Sequence, residues 1–181
     1  MPMWNFGQPL DGVIQVAFIV PDIHAAMASY TKQFKIGPWF LFEHFQFDWL
    51  KYRGEPTNLD VSLAMGFSGG MMFELIQQHD DLPSVYRETL DRRGYGFHHL
   101  AVALAPDTYD DRLQEYLDAG ATLALEGAVA VGGRAAYVDF GELLPGMIEL
   151  VEMTDKVEQL FTHVRTANLG WDGTDPVRRL G

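Results

Sequence analysis

The order of elements between residues 13 and 78 returns between residues 97 and 153, and this duplication constrains the fold more than any other feature of the chain. Residues 13–20, VIQVAFIV, form an apolar run of strand length ended by Pro21 and Asp22, where Asp can cap a following helix. Ile23, Ala26, Met27, Tyr30 and Phe34 then recur at helical spacing until Gly37 stops the pattern. Later, 97–104, FHHLAVAL, reads as a strand, Pro106 and Asp107 make the break, and Tyr109, Leu113, Tyr116 and Leu117 mark a helix closed by Gly120. Strand-type segments follow each helix, at 38–45, 59–65 and 70–77, then at 121–130, 134–140 and 146–152. Each half reads βαβββ. Two copies are too few for a solenoid, which needs about three repeats, so the halves are expected to pair around a shared core.

The remaining segments fit around this frame. Residues 1–78 make the first module, with 44–58 read as a longer loop or flap because Lys51, Arg53, Gly54, Glu55 and Pro56 interrupt the strands. Residues 79–94 read as a linking helix, 95–153 as the second module, and 154–181 as a helix over 155–167 with a tail that docks on the fold or on a partner. A length of 181 residues suits one compact domain with a full core. The net charge of −12 disfavours nucleic acid and anionic lipid as partners, since no basic stripe exists to meet phosphates. No apolar stretch approaches the ~20 residues of a membrane span, and the opening MPMWNFGQPLDG lacks a basic start with an apolar run, so a cytoplasmic location is expected. With no cysteine, any metal must sit on nitrogen and oxygen ligands.

Strand alternation locates such ligands, because residues two apart share a face. In the first strand Ile14, Val16, Phe18 and Val20 form a bulky face for a helix, leaving Gln15, Ala17 and Ile19 on the other. In the fifth, His98, Leu100, Val102 and Leu104 share one side and His99 lies beside Ala101 and Ala103. Glu74 lies with Met72 and Ile76, and Glu149 with Met147 and Val151, so each acid interrupts an apolar surface. A buried carboxylate without a partner costs several kcal/mol, on the order of a full desolvation penalty. The duplication therefore predicts a symmetric metal quartet of Gln15, Glu74, His99 and Glu149. One imidazole, one amide oxygen and two carboxylates suit a divalent ion among Zn, Ni, Co, Fe, Mn and Mg.

The elements IQVAFIVPDI, FELIQ, GFHHLAV and GMIELVE resemble, in order and spacing over roughly residues 12–153, the strand motifs of the vicinal oxygen chelate superfamily, which includes glyoxalase I, methylmalonyl-CoA epimerase and bleomycin resistance proteins. The resemblance implies an α+β fold of paired βαβββ modules forming an open, barrel-like mixed sheet. It implies the metal ligands Gln15, Glu74, His99 and Glu149, the set of zinc-type glyoxalase I. It also implies a metal-dependent lyase or isomerase that stabilises an enolate of a chelated carbonyl substrate, with Glu149 and Glu74 as base and acid. Ile19 and Tyr95 stand where glyoxalase I places basic residues, and Asp60 and Ser62 are the polar residues nearest the position of an epimerase's third-strand acid.

Trp39, Phe40, Phe42, Phe47, Trp49 and Tyr52 give the second strand and flap an aromatic lining, so an apolar or aromatic small-molecule substrate is expected. His98 is assigned to the helix layer as a structural residue, His44 and His79 to solvated loops, and His24 and His163 to helices without a chemical role. Tyr137 reaches either the pocket or the core. Gly69-Gly70 and Gly132-Gly133 precede strands and read as hairpin turns, so no nucleotide site is expected. The competing reading is a metal-free drug- or metabolite-binding protein of the bleomycin-resistance kind. An extradiol dioxygenase ranks last, because Gln15 stands where its iron site needs a histidine. Paired modules are compatible with a homodimer.

Overall fold

The computed structural model describes residues 2–144 and 146–179; Met1, Pro145, Leu180 and Gly181, which the expected first module, second module and tail include, lie outside the described residues. The first half supplies β1 (Val13–Ile19), α1 (Ile23–Phe34), β2 (Trp39–Phe42), β3 (Phe47–Tyr52), β4 (Glu55–Pro56), β5 (Val61–Ser68) and β6 (Met71–Gln78). After α2 (Val85–Arg93) come β7 (Gly96–Leu104), α3 (Tyr109–Asp118), β8 (Thr122–Val129), β9 (Gly133–Asp139) and β10 (Met147–Glu152). Then α4 (Asp155–Asn168) and β11 (Val177–Arg179) close the chain. Asp22 caps α1 as expected, its carboxylate accepting from Ala25 N at 2.9 Å, and Ser84 does the same for α2 through Arg87 N at 3.0 Å.

The described strands form one curled sheet in the order β11-β2-β5-β6-β1-β7-β10-β9-β8-β3-β4. Its centre is the antiparallel pair β1 and β7; β6 runs parallel to β1 on one side, and β10 parallel to β7 on the other. The sequence duplication thus becomes a pseudo-twofold, with the two leading strands against each other. α1 covers β5 and β6 and α3 covers β9 and β10 on the outer face. Inside the curl, α4 closes one end over Phe40, Phe67 and Val151, while α2 and the β3 hairpin close the other over Leu50, Leu63 and Leu125.

Two segments take a more definite form than the sequence reading gave them. Residues 44–58 are not simply a loop: β3 and β4 form a hairpin turning at Arg53 and Gly54, both with positive φ, and β3 pairs with β8 of the opposite half. Leu50 is the side chain that docks it, fitting because a Cβ on Gly127 would stand 2.7 Å from Leu50 Cδ1. The described part of the tail docks on the fold. β11 adds in parallel to β2, Asn168 Nδ2 donates to the carbonyls of Gly37 (2.6 Å) and Phe67 (2.9 Å), and the Trp171 ring lies against Gly37. No helix among the described residues is long and apolar enough to cross a membrane.

Candidate metal centre

Register places the four expected ligands in two neighbouring cross-strand rows of the inner face. One row reads Glu74, Ala17, His99, Met147, and the next reads Met72, Gln15, Ala101, Glu149. The pseudo-twofold exchanges the rows, carrying Gln15 to His99 and Glu74 to Glu149. Polar and small residues alternate along the central strands, and the fully buried Ala17 and Ala101 leave the space into which the longer side chains lean. His99 Nε2 stands 3.2 Å from a Glu149 oxygen and 3.5 Å from a Glu74 oxygen. Gln15, Glu74 and His99 are all buried, and the Glu149 side chain is 12% exposed.

Two carboxyls around one imidazole in a dry interior are costly without compensating charge. Burial, and then the charge of Glu149, raise the Glu74 pKa well above the carboxylate range, and the Gln15 amide opposes this only in part. The Gln15 Nε2 and His99 Nε2 atoms are buried and make no well-formed hydrogen bond. Donors held ~2.1 Å from one ion at tetrahedral or octahedral angles stand roughly 3.0–3.4 Å apart; the 3.2 Å to Glu149 falls in that interval and the 3.5 Å to Glu74 just beyond it. The orphaned nitrogen, the paired acids and the amide together fit a divalent cation.

The state of His99 follows from its neighbour. His98 Nε2 lies 3.2 Å from the Val85 carbonyl, which can only accept, so that nitrogen carries a hydrogen. Burial, and then the neighbouring His99, lower the His98 pKa well below the usual imidazole value, so the ring is neutral and its Nδ1 is an acceptor. The 2.8 Å contact between the two Nδ1 atoms is therefore donated by His99. With Nδ1 engaged by His98, Nε2 is the His99 nitrogen that faces the two carboxyls and is available to a metal ion.

His98 does not face the α1 and α3 layer as strand alternation predicts. β1 pairs Ala17 with His99 and Phe18 with Phe97, so His98 is an extra residue in a bulge that turns it inward to α2, with its ring 4.9 Å from that of Tyr86. Tyr86, read only as part of a linking helix, lines the cavity with Tyr137, their hydroxyls 3.4 Å apart. Tyr137 is the cross-strand partner of Glu149, and burial followed by the Glu149 charge raises its pKa well above that of a free phenol, so the hydroxyl stays protonated beside the acid.

Gln15, Glu74 and Glu149 line a cavity with about 760 Å³ of empty space, counting its mouth. Of the six expected aromatics only Phe42 and Phe47 line it, joined by Phe45, Phe161 and the two tyrosines. Trp39 alternates to the outer face beneath α1, Phe40 is covered by α4 with its ring 5.1 Å from His163, Trp49 is solvent-exposed, and Tyr52 bonds Glu88. The basic residue on the described wall, Arg134, is already engaged by Glu152 at 2.9 Å and Asp110 at 2.7 Å. Ile19 is buried and Tyr95 is exposed; Asp60 and Ser62 also lie off this wall.

A family model described as Glyoxalase/Bleomycin resistance protein/Dioxygenase superfamily matches residues 14–138. Among solved structures, methylmalonyl-CoA epimerase from Mycobacterium tuberculosis is similar at 19% identity and a TM-score of 0.60, over 83% of this chain and 93% of that one. A hypothetical protein from Bacillus halodurans has 18% identity and a TM-score of 0.59, over 80% and 95%. A Streptomyces coelicolor methylmalonyl-CoA epimerase variant in complex with 2-nitronate-propionyl-CoA has 18% identity and a TM-score of 0.52, over 81% and 99%. These likenesses concern the fold. Among curated proteins no significant match is found.

Proposed function

This chain belongs to the Glyoxalase/Bleomycin resistance protein/Dioxygenase superfamily, and from that premise we propose that it is a metal-dependent isomerase or lyase acting on an apolar or aromatic carbonyl compound. The observation that carries the reading is the buried His99 Nε2 held 3.2 Å from Glu149 and 3.5 Å from Glu74, two acids that line an apolar cavity. Gln15, Glu74, His99 and Glu149 would hold the ion. When bound, a divalent ion supplies positive charge that favours negative charge developing on a carbonyl oxygen, and so acidifies the neighbouring C–H.

The protein's own groups do the rest. Glu149, the more exposed of the two acids, takes the proton from the carbon next to the carbonyl. Glu74 reaches the site from the opposite flank, on β6 where Glu149 is on β10, so after taking a proton from water it can deliver one to the other face while Glu149 gives its proton back to water. The aromatic wall excludes water and orients the apolar part of the substrate. A CoA ester or glutathione fits less well, because each needs a free cation and Arg134 is committed to two acids.

The cavity's apolar wall also favours a second reading, metal-free binding of a drug or metabolite. Proton exchange separates the two. Aryl α-hydroxyketones incubated with protein and Zn²⁺ or Ni²⁺ in D₂O should take up deuterium at the α-carbon, as followed by NMR, and Glu149→Gln should abolish the uptake. Saturable binding without exchange under any divalent ion would leave the binding reading in place.

A further inference from the structure

A second constellation of ligand-type side chains lies outside the cavity, where three chain segments meet at the end of the β5–β6 pair. His44 is in the turn between β2 and β3, Asp60 immediately precedes β5, and His79 immediately follows β6. Backbone pairing fixes all three. Val61 pairs with Gln78, and the next rung is closed by the His79 N–H donating to the Asp60 carbonyl at 2.8 Å. The Phe45 N–H donates to the Val61 carbonyl at 2.7 Å and the His44 N–H to Ser62 Oγ at 3.2 Å, so the turn is bound to the same strand.

On this frame the side chains converge. His44 Nδ1 stands 2.6 Å from Asp60 Oδ1, the two imidazole rings lie 4.9 Å apart, and one donor atom from each of the three residues falls within 4.8 Å of the others. His79 Nε2 is 2.7 Å from the buried Ser62 hydroxyl. Glu43 and Asp80 lie close by, Asp80 accepting from the Asp60 N–H at 2.6 Å, so the local field is negative. Two imidazoles and a carboxylate are a donor set for Zn²⁺, Ni²⁺ or Cu²⁺. The strand pairing has already supplied most of the ordering entropy that such a site requires. Exposure of the His44 side chain keeps the desolvation cost low and leaves coordination positions for water.

We propose that His44, Asp60 and His79 form a second, surface site for a divalent cation of the zinc, nickel or copper class, separate from the buried quartet. The turn that carries His44 also carries Phe45 and leads directly into Phe47 at the start of β3, two residues of the cavity wall. An ion held here ties that turn to the β5–β6 end and stiffens one side of the cavity.

The test is calorimetric titration of chelator-treated protein with Zn²⁺, comparing wild type, the double variant His44→Asn/His79→Gln, and the double variant His99→Ala/Glu149→Ala. Asn tolerates the left-handed backbone of His44, whose φ is 51°, so the turn is preserved. One equivalent of Zn²⁺ in the micromolar range should be lost, or weakened at least tenfold, in the His44/His79 variant and retained in the His99/Glu149 variant. Unchanged stoichiometry and affinity in the His44/His79 variant, or only millimolar binding in the His99/Glu149 variant, overturns the proposal. Failure of the quartet reading looks different, since the His99/Glu149 variant would then match wild type. As an independent readout, the ring ¹⁵N shifts of His44 and His79 should move in step with the first equivalents of Zn²⁺; stationary shifts count against the site.

Discussion

Replacing Glu74 with Gln keeps the shape of the side chain and removes its charge, and the effect should change sign with metal. In metal-free protein the Glu74 carboxyl is pushed well above its ordinary pKa by burial first and by Glu149 second. The folded state then keeps a proton that the unfolded chain releases. That contribution is fully present below the ordinary glutamate pKa and is lost as pH rises toward the folded value. One proton changes the unfolding free energy by at most about 1.4 kcal/mol per pH unit, hence by at most about 3 kcal/mol between about pH 6 and about pH 8. At roughly 2–4 °C per kcal/mol for a chain of this size, wild type should lose up to ~6–11 °C relative to Glu74→Gln across that interval. A divalent ion takes the proton's place: at about 1,000 times its Kd it adds about 4 kcal/mol to wild type, and the variant should receive much less. Scanning calorimetry of chelated and Zn²⁺-loaded samples at three pH values reads both effects. If the two melting curves of the chelated proteins stay parallel with pH, or Zn²⁺ stabilises both equally, the reasoning about the buried acids is wrong.

Other outcomes follow from individual contacts. His98→Gln should weaken metal binding roughly 10–100-fold by releasing the His99 tautomer, measured by chelator competition; unchanged affinity would show that His98 only fills space. Phe45→Ala removes edge contacts with Phe42 and Phe47 at 5.7 and 5.1 Å and opens the cavity wall. It should weaken an apolar ligand by about 1–2 kcal/mol, or roughly 5–30-fold, in a fluorescence titration. Gly37→Ala would set a Cβ 2.6 Å from the Trp171 ring at a φ of +146°, so it should cost about 2 kcal/mol and speed proteolysis of the tail. Asp22→Ala, which deletes the α1 cap, should lower Tm by about 2–4 °C through a loss of about 1 kcal/mol.

What the sequence revealed divides along a physical line. Duplication and two-residue alternation were enough to put Gln15, Glu74, His99 and Glu149 on one face, because both signals are local to each strand. The same alternation failed at His98, since a bulge is set by pairing with β1, which no single strand encodes. The β3–β4 hairpin falls within 44–58, which reads as a longer loop or flap because the β3 face is only half buried and its partner, β8, belongs to the other half. Tyr52-Arg53-Gly54 carried a usable turn signal in Gly54. The aromatic wall was overassigned for a related reason: alternation within Trp39–Phe42 sends Trp39 outward, and α4, remote in sequence, covers Phe40. His44 and His79 read singly as solvated loop residues and Asp60 only as a polar residue near the third strand, and it is the register of β5 with β6 that draws the three together.

The central claim is that Gln15, Glu74, His99 and Glu149 grip one divalent ion, and metal analysis of purified protein tests it most directly. After saturation and gel filtration, wild type should retain one tightly bound divalent ion that His99→Ala and Glu149→Ala both lose. Equal trace metal in all three proteins, or a full equivalent retained by both variants, would contradict it.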